Sequence, residues 1–185
     1  MCLILCPQSS LPAGSGARAK NFKEIKMKIY KTQSQVNADI KDGVLVVKGD
    51  VQFEFNLVTK ASLIILGDLT ARGLTVEGNL SVEGDLTVEG NLTVEGNLTA
   101  NDLSARDITV AGDLSARDIT VWGNLTARNI TAWGGITTWG GITASGNISF
   151  YAVAFSCRSF VCKSITGRRK NSKYFCLDGK VEIKG

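Results

Sequence analysis

Between Leu45 and Ile165 apolar residues return every five or six positions, and the residues between them keep a fixed order. From Leu74 the chain reads LTVEGN, LSVEGD, LTVEGN, LTVEGN, LTAND, LSARD, ITVAGD, LSARD, ITVWGN, LTARN, ITAWGG, ITTWGG and ITASGN. Successive side chains of an extended chain point to opposite faces. Leu or Ile therefore points inward, Thr or Ser outward, Val or Ala inward and the fourth residue outward, before Gly with Asn or Asp turns the chain. Gly and Asn are expected at these corners because both tolerate positive φ. The same frame runs back to LVVKGD at Leu45 and forward to FVCKS at Phe160, twenty-one units in all before Ile165. Units this short bury their apolar residues only by stacking on one another, so the pattern predicts an all-β, single-domain parallel β-solenoid.

Six units have five residues, and in each the inner third residue is small: Ala71, Ala100, Ala105, Ala116, Ala127 or Cys162. A tighter corner leaves less interior volume, so the two changes are read as coupled. The charges decide how many units close one coil, because outward residues one coil apart become ladder neighbours. Three units per coil give four opposite-charge neighbours and one like pair, Glu77 over Glu95. Four per coil give three like pairs, among them Arg106 with Arg128. A three-sided coil of 16–18 residues is thus expected, with Glu54, Arg72, Glu89, Arg106, Trp122 and Trp139 in one column and seven coils spanning roughly 34 Å.

The flanks lack the repeat. Residues 1–26 carry Pro, Ser and Gly and read as a flexible or artefactual leader, and 27–44 as a cap over the first coil, whose open edge would otherwise offer unpaired backbone groups. The solenoid is assigned to 45–167. Residues 168–185 are read as a basic loop and a closing hairpin, with YFCL and KVEIK flanking an Asp178-Gly179 turn. The expected solenoid is thereby capped at both ends.

Composition supports the reading and narrows the chemistry. The 185 residues are 44% hydrophobic, enough for a continuous core, with 20 Gly and 2 Pro. Histidine is absent, which removes the commonest general base and the commonest nitrogen ligand for zinc. No catalytic set, cofactor site or metal site is assigned, and the chain is expected not to be an enzyme. The net charge is +4, and between the two ends the charges read as interspersed, so nucleic acid is not demanded as a partner. Cys2, Cys6, Cys157, Cys162 and Cys176 form no CxxC pair, which points to a reducing cytoplasm. No stretch approaches the length of a membrane span or a secretory signal.

Two surface groups are candidates for binding. Trp122, Trp133 and Trp139, with Arg117, Arg128 and Tyr151, form a possible aromatic and cationic surface for a protein or polysaccharide, read equally well as ladder stacking that stabilises the coil. Arg168, Arg169, Lys170 and Lys173 form a dense basic cluster suited to an anion, against the plainer reading of a solvated loop. The outward Thr and Ser column from Thr70 to Ser149 is assigned to β propensity rather than ice binding, since the next outward residue is Glu, Arg, Trp or Ala and no flat TxT rank forms. Asn79, Asn91, Asn97, Asn124, Asn129 and Asn147 open glycosylation sequons that the repeat creates automatically.

The stretches LSARDITVAGD and LTARNITAW resemble a group of uncharacterised bacterial proteins with runs of ARDI, AGDI and AWDI. The tail ISFYAVAFSCRSFVCKSITGRRKNSKYFCLDGKVEIKG is similar to their common C-terminal block. The GDV and GNL corners with a triangular coil more loosely resemble bactofilins, cytoskeletal proteins that polymerise end to end through a β-helix, a likeness of architecture. Pentapeptide-repeat proteins and hexapeptide acyltransferases fit less well: the first place a small residue where this chain has Arg or Gly, and the second rely on a histidine. The resulting expectation is a structural scaffold, self-associating as a homo-oligomer or filament, with a binding module as the second reading.

Overall fold

In the computed structural model, which describes residues 27–151, 154–177 and 181–183, the chain winds as a parallel β-solenoid of about eight turns with one short helix. Three ladders run its length. On the third face Leu45 pairs with Leu63, Leu63 with Leu80, Leu80 with Leu98, Leu98 with Leu114, Leu114 with Ile130 and Ile130 with Ile148. The first and second faces begin as single long strands, Val51–Thr59, Leu69–Val76, Leu86–Val94 and Asp102–Val110, each bent at a corner. The register shifts between Phe53 and Asn56, between Ala71 and Leu74, and between Val88 and Asn91 mark that bend. In later coils the two faces separate into short strands such as Asp118–Val121 and Leu125–Ala127. Corner contacts between adjacent coils join residues 16, 17 or 18 apart, so the coil length matches the expectation.

The alternation decides what is buried. First- and third-position residues such as Leu63, Ile65, Leu86, Val121 and Ile148 lie in one continuous core, and the small Ala71, Ala100, Ala105, Ala116, Ala127 and Cys162 belong to it. At about 25 cal/mol per Å² of buried apolar area these columns are the main stabilising contribution. Thr138 is a polar intruder at an inner position, and its hydroxyl donates to the Gly140 carbonyl at 3.0 Å.

Residues 27–44 lie over the first coil. The strand Lys28–Tyr30 pairs parallel with Val51–Phe53, and Tyr30 stacks on Phe53 at 5.3 Å. The helix Gln33–Asp39 starts on a Thr32/Gln35 capping box and buries Val36 completely. The far end differs from the closing hairpin read from the sequence. Lys173–Cys176 pairs parallel with Ala154–Cys157, and Val181–Ile183 pairs parallel with Ser159–Cys162. Both segments therefore add a further coil on two different faces. Their apolar alternation suits either arrangement, and continuing the existing ladders satisfies the backbone of the coil beneath. The Asp178-Gly179 turn and the leader 1–26 lie outside the described residues.

The corners also correct an expectation. Among the described residues positive φ occurs only at Asp42, Gly43, Gly49 and Asn171, so the repeated corner glycines are not there for that freedom. They are there for space. A Cβ placed on Gly84 would lie 2.1 Å from Asp68 Oδ1 and 2.8 Å from the Gly67 carbonyl. That same Oδ1 accepts the backbone N–H of Asp85 at 2.8 Å, and the device recurs with Asn79 and Asn97, Asp107 and Asn124, and Asn129 and Asn147. Each Gly-Asn or Gly-Asp pair thus accepts the carboxamide or carboxylate of the coil before it. Gly84→Ala is expected to destabilise the chain by about 1–3 kcal/mol through overpacking at this contact. Urea unfolding followed by circular dichroism measures it, and an unchanged midpoint would show that the corner has slack.

Candidate functional site

Fourth-position residues extend each ladder by one hydrogen bond and point outward beside a corner. Trp122 N–H donates to the Ala105 carbonyl and Trp139 N–H to that of Val121, which places both indoles on the trailing edge of the first face. They stack at 4.4 Å between ring centroids, 17° from parallel, and remain 61% and 50% exposed. This is the pairing expected from a three-sided coil. The outward Thr120 and Thr137 lie two residues earlier on the same strands and pair with one another.

Trp133 belongs to a different column. Its N–H bonds to Ala116 on the third face, and its ring, 57% exposed, stacks on Tyr151 at 5.1 Å. Arg168 continues this column: its guanidinium lies 5.4 Å from the Tyr151 ring centroid, Nε donates to Ser149 Oγ at 2.8 Å, and Nη1 reaches the Tyr151 hydroxyl at 3.4 Å. Arg117 occupies the rung before Trp133, but both sides of its guanidinium are turned to Asp102, with Asp118 at 3.6 Å. Arg128 stands on the second face and holds Asp113 through two bonds of 2.9 Å. The six-residue surface read from the sequence is therefore divided: Trp122 with Trp139, Trp133 with Tyr151 and Arg117, and Arg128 alone. Of the basic cluster, Arg168 joins the aromatic column, a link hidden while it was read as loop, and Arg169, Lys170 and Lys173 are exposed beyond it.

Electrostatics separates these groups further. The Arg128 guanidinium, with Asn129, holds the Asp113 carboxyl down at about 2, and Asp102 raises Arg117. Burial pushes the Cys157 thiol up to about 12, with Cys176 adjacent in register. Among the described residues no three His, Cys, Asp or Glu side chains converge as a metal site. The hollow between the helix and the second face is lined by Gln33, Asn37, Ile40, Val58 and Lys60, which offers no paired acid and base.

The charges are not interspersed once the coil is closed. At the corner leading from the third face to the first, consecutive coils present Asp50, Asp68, Asp85, Asp102 and Asp118, one above the other. From residue 119 to 177 the sequence contains no Asp or Glu, while Arg128, Arg158, Lys163 and the 168–173 cluster lie there. In a solenoid sequence order is axial position, so the middle coils, 61–118, are acidic, the coils after them are basic, and the first coil with its covering segment, 27–60, carries both signs in near balance.

One family comparison bears on this arrangement. Residues 54–160, the coils that carry both indole columns, match the model of a family described as "Putative Ice-binding-like adhesive domain". The chain belongs to this family. No curated protein and no solved structure matches it. The match ends at Phe160, so Trp133 and Tyr151 lie within the matched coils and Arg168 lies beyond them. No helix among the described residues is long and apolar enough to cross a membrane.

The Arg128–Asp113 pair has a measurable signature. The folded carboxyl sits below the unfolded value of about 3.9, so the pair adds stability that is present above that pH and lost as pH falls through about 2. Arg128→Met is expected to move the Asp113 titration, followed by carboxyl NMR, up toward the ordinary range and to remove this contribution. A titration that stays near 2 would assign the shift to Asn129 and the backbone instead.

Proposed function

We propose that the chain is a non-catalytic adhesive module in which the solenoid acts as a rigid rod and the Trp122–Trp139 column on the first face grips a polysaccharide. The observation that carries this reading is the exposure of two stacked indoles on a scaffold that needs neither for its core. Beside them the outward hydroxyls of Thr120 and Thr137 supply polar partners on the same strands. Apolar ring edges next to hydroxyls match a sugar, which carries C–H faces and O–H rims. The adhesive family adds its weight to a binding role.

Chemistry on a substrate has less support, since the chain has no histidine and the hollow beside the helix gathers no acid and base. End-to-end polymerisation in the manner of bactofilins is also the weaker reading, because the helix Gln33–Asp39 packs over one end of the stack. Two features pull localisation in opposite directions. Adhesion is a task for the cell exterior, whereas Cys157 and Cys162 are buried free thiols, which suits a reducing compartment.

Replacing both indoles, Trp122→Ser with Trp139→Ser, is expected to weaken retention on a polysaccharide panel by more than tenfold, the loss typical of central aromatic contacts. Circular dichroism should keep its β-rich form, since neither ring lies in the core. Retention equal to that of the unaltered chain would refute the assignment of the column.

A further inference from the structure

Cys157 and Cys176 stand directly opposite one another on adjacent coils, at the end of the parallel pairing of Ala154–Cys157 with Lys173–Cys176. Both belong to the inward column of the first face: Cys157 is fully buried in the core, and Cys176, partly exposed, packs against it. The two thiols lie within hydrogen-bonding reach of each other, and the Cys176 sulfur lies 3.1 Å from the Arg158 carbonyl. A rung spacing of about 4.8 Å falls inside the Cα separation of about 4.4–6.8 Å that a disulfide spans. Cys162 sits on another face in register with Ile183, so the juxtaposition is particular to the other two. Among the described residues no further metal-ligating side chain joins them, so the pair is not a metal centre. Its place in the rod gives it a use. The first coil is covered by the strand Lys28–Tyr30 and the helix Gln33–Asp39, whereas the last coil leaves Tyr174, Phe175, Val181 and Ile183 exposed. Little apolar burial holds that coil, and its ladder hydrogen bonds open most readily.

We propose that Cys157 and Cys176 form a disulfide site, at which oxidation staples the last coil to the coil beneath it. Cys176 opens the exchange, because a small oxidant reaches it. Its thiolate attacks one sulfur of a low-molecular-weight disulfide such as glutathione disulfide, a Cys176–glutathione bond forms, and one glutathione thiolate leaves. The Cys157 sulfur then attacks the Cys176 sulfur and displaces the second glutathione, while the Cys157 proton passes to a leaving thiolate. Two cysteine thiols become one disulfide, and one glutathione disulfide is reduced to two glutathione molecules. Burial pushes the Cys157 thiol up to about 12, which leaves the first attack to Cys176. The bond closes a loop over residues 157–176, and it acts by removing open states of the last coil rather than by adding contacts. Thiols that suit a reducing compartment when free thus become, at this pair, a constraint that suits an oxidising one. Neither indole column takes part, so this inference stands apart from the adhesive reading.

Peptide mapping of the full chain tests the bond. After equilibration of the folded protein with glutathione disulfide, trypsin digestion without reductant is expected to yield residues 129–158, which carry Cys157, linked to residues 174–180, which carry Cys176, with Cys162 apart in 159–163. Hydrogen exchange tests the staple. The Leu177 N–H donates to the Cys157 carbonyl at 3.0 Å, and this amide with its neighbours in the last coil should exchange at least about tenfold more slowly in the oxidised chain than in the reduced one. Cys176→Ser, at a partly exposed position, should keep the fold and abolish the difference between the two redox conditions. No linkage, a Cys176 that stops at the glutathione adduct, or a bond from either cysteine to Cys2, Cys6 or Cys162 instead overturns the proposal. So do equal exchange rates in the two redox forms, or a difference that survives in the Ser variant.

Discussion

Parallel strands one coil apart lie about 4.8 Å from each other, and every outward or inward side chain consequently packs against its counterpart in the coils above and below. Inside, that constraint turns separate Leu, Ile and Val residues into continuous columns from Leu45 to Phe160. At the corners it leaves no room for a Cβ where Asp68 or Asn79 reaches the coil that follows, which is why glycine recurs there. The corner hydrogen bond and the corner glycine are one device. The side-chain oxygen that fills the space above each glycine also satisfies the next N–H, so a turn that would otherwise leave backbone groups to water becomes part of the ladder.

Outside, the same spacing converts residue identity into line chemistry. Two Trp residues seventeen positions apart become a stacked pair, and Tyr151 becomes a bridge between an indole and a guanidinium. Opposite charges one coil apart become ion pairs, as Arg117 with Asp102 and Arg128 with Asp113 show, and such exposed pairs each add little stability. In the Asp column Asp102 and Asp118 share Arg117, and Asp50, Asp68 and Asp85 accept backbone N–H groups of the next coil. The aromatic columns, which packing also rewards, are ambiguous until their exposure is counted.

The coil was legible because its period is physical: an inner position every five or six residues admits few other folds, and ladder charges chose three sides over four. The parts that were not legible share a cause. Trp133 and Trp139 are neighbours in sequence but sit on different faces, since consecutive units occupy consecutive sides of the prism. The YFCL and KVEIK segments alternate alike in a hairpin or in a coil, and an Asp-Gly pair between them favours the first on local grounds alone. Partners one coil back in sequence outbid it. Corner glycine was read from the conformational preference of one residue, whereas the structure uses its lack of a side chain against a neighbour 17 residues away. The fourth positions carry the ladder charges legible in the sequence, and the acidic line lies one or two residues further on, at the corner itself.

The family description couples adhesion with ice binding, and the relief of the outer surface bears on both. An ice-binding face needs a flat, repeating rank of small hydroxyl side chains, and Thr120 and Thr137 are in register on the first face as such a rank would require. The next outward position breaks it. Glu89, Arg106, Trp122 and Trp139 rise there, one per coil, on the same strands or just past them, and each stands taller than a threonine. The other two faces are interrupted likewise by Glu77, Glu95 and Arg128, and by Glu83, Arg117 and Trp133. Where a charged or aromatic ridge stands beside a hydroxyl row the surface is stepped rather than flat, most continuously on the first face, whereas Ala111 and Ser145 leave the second face low at two coils.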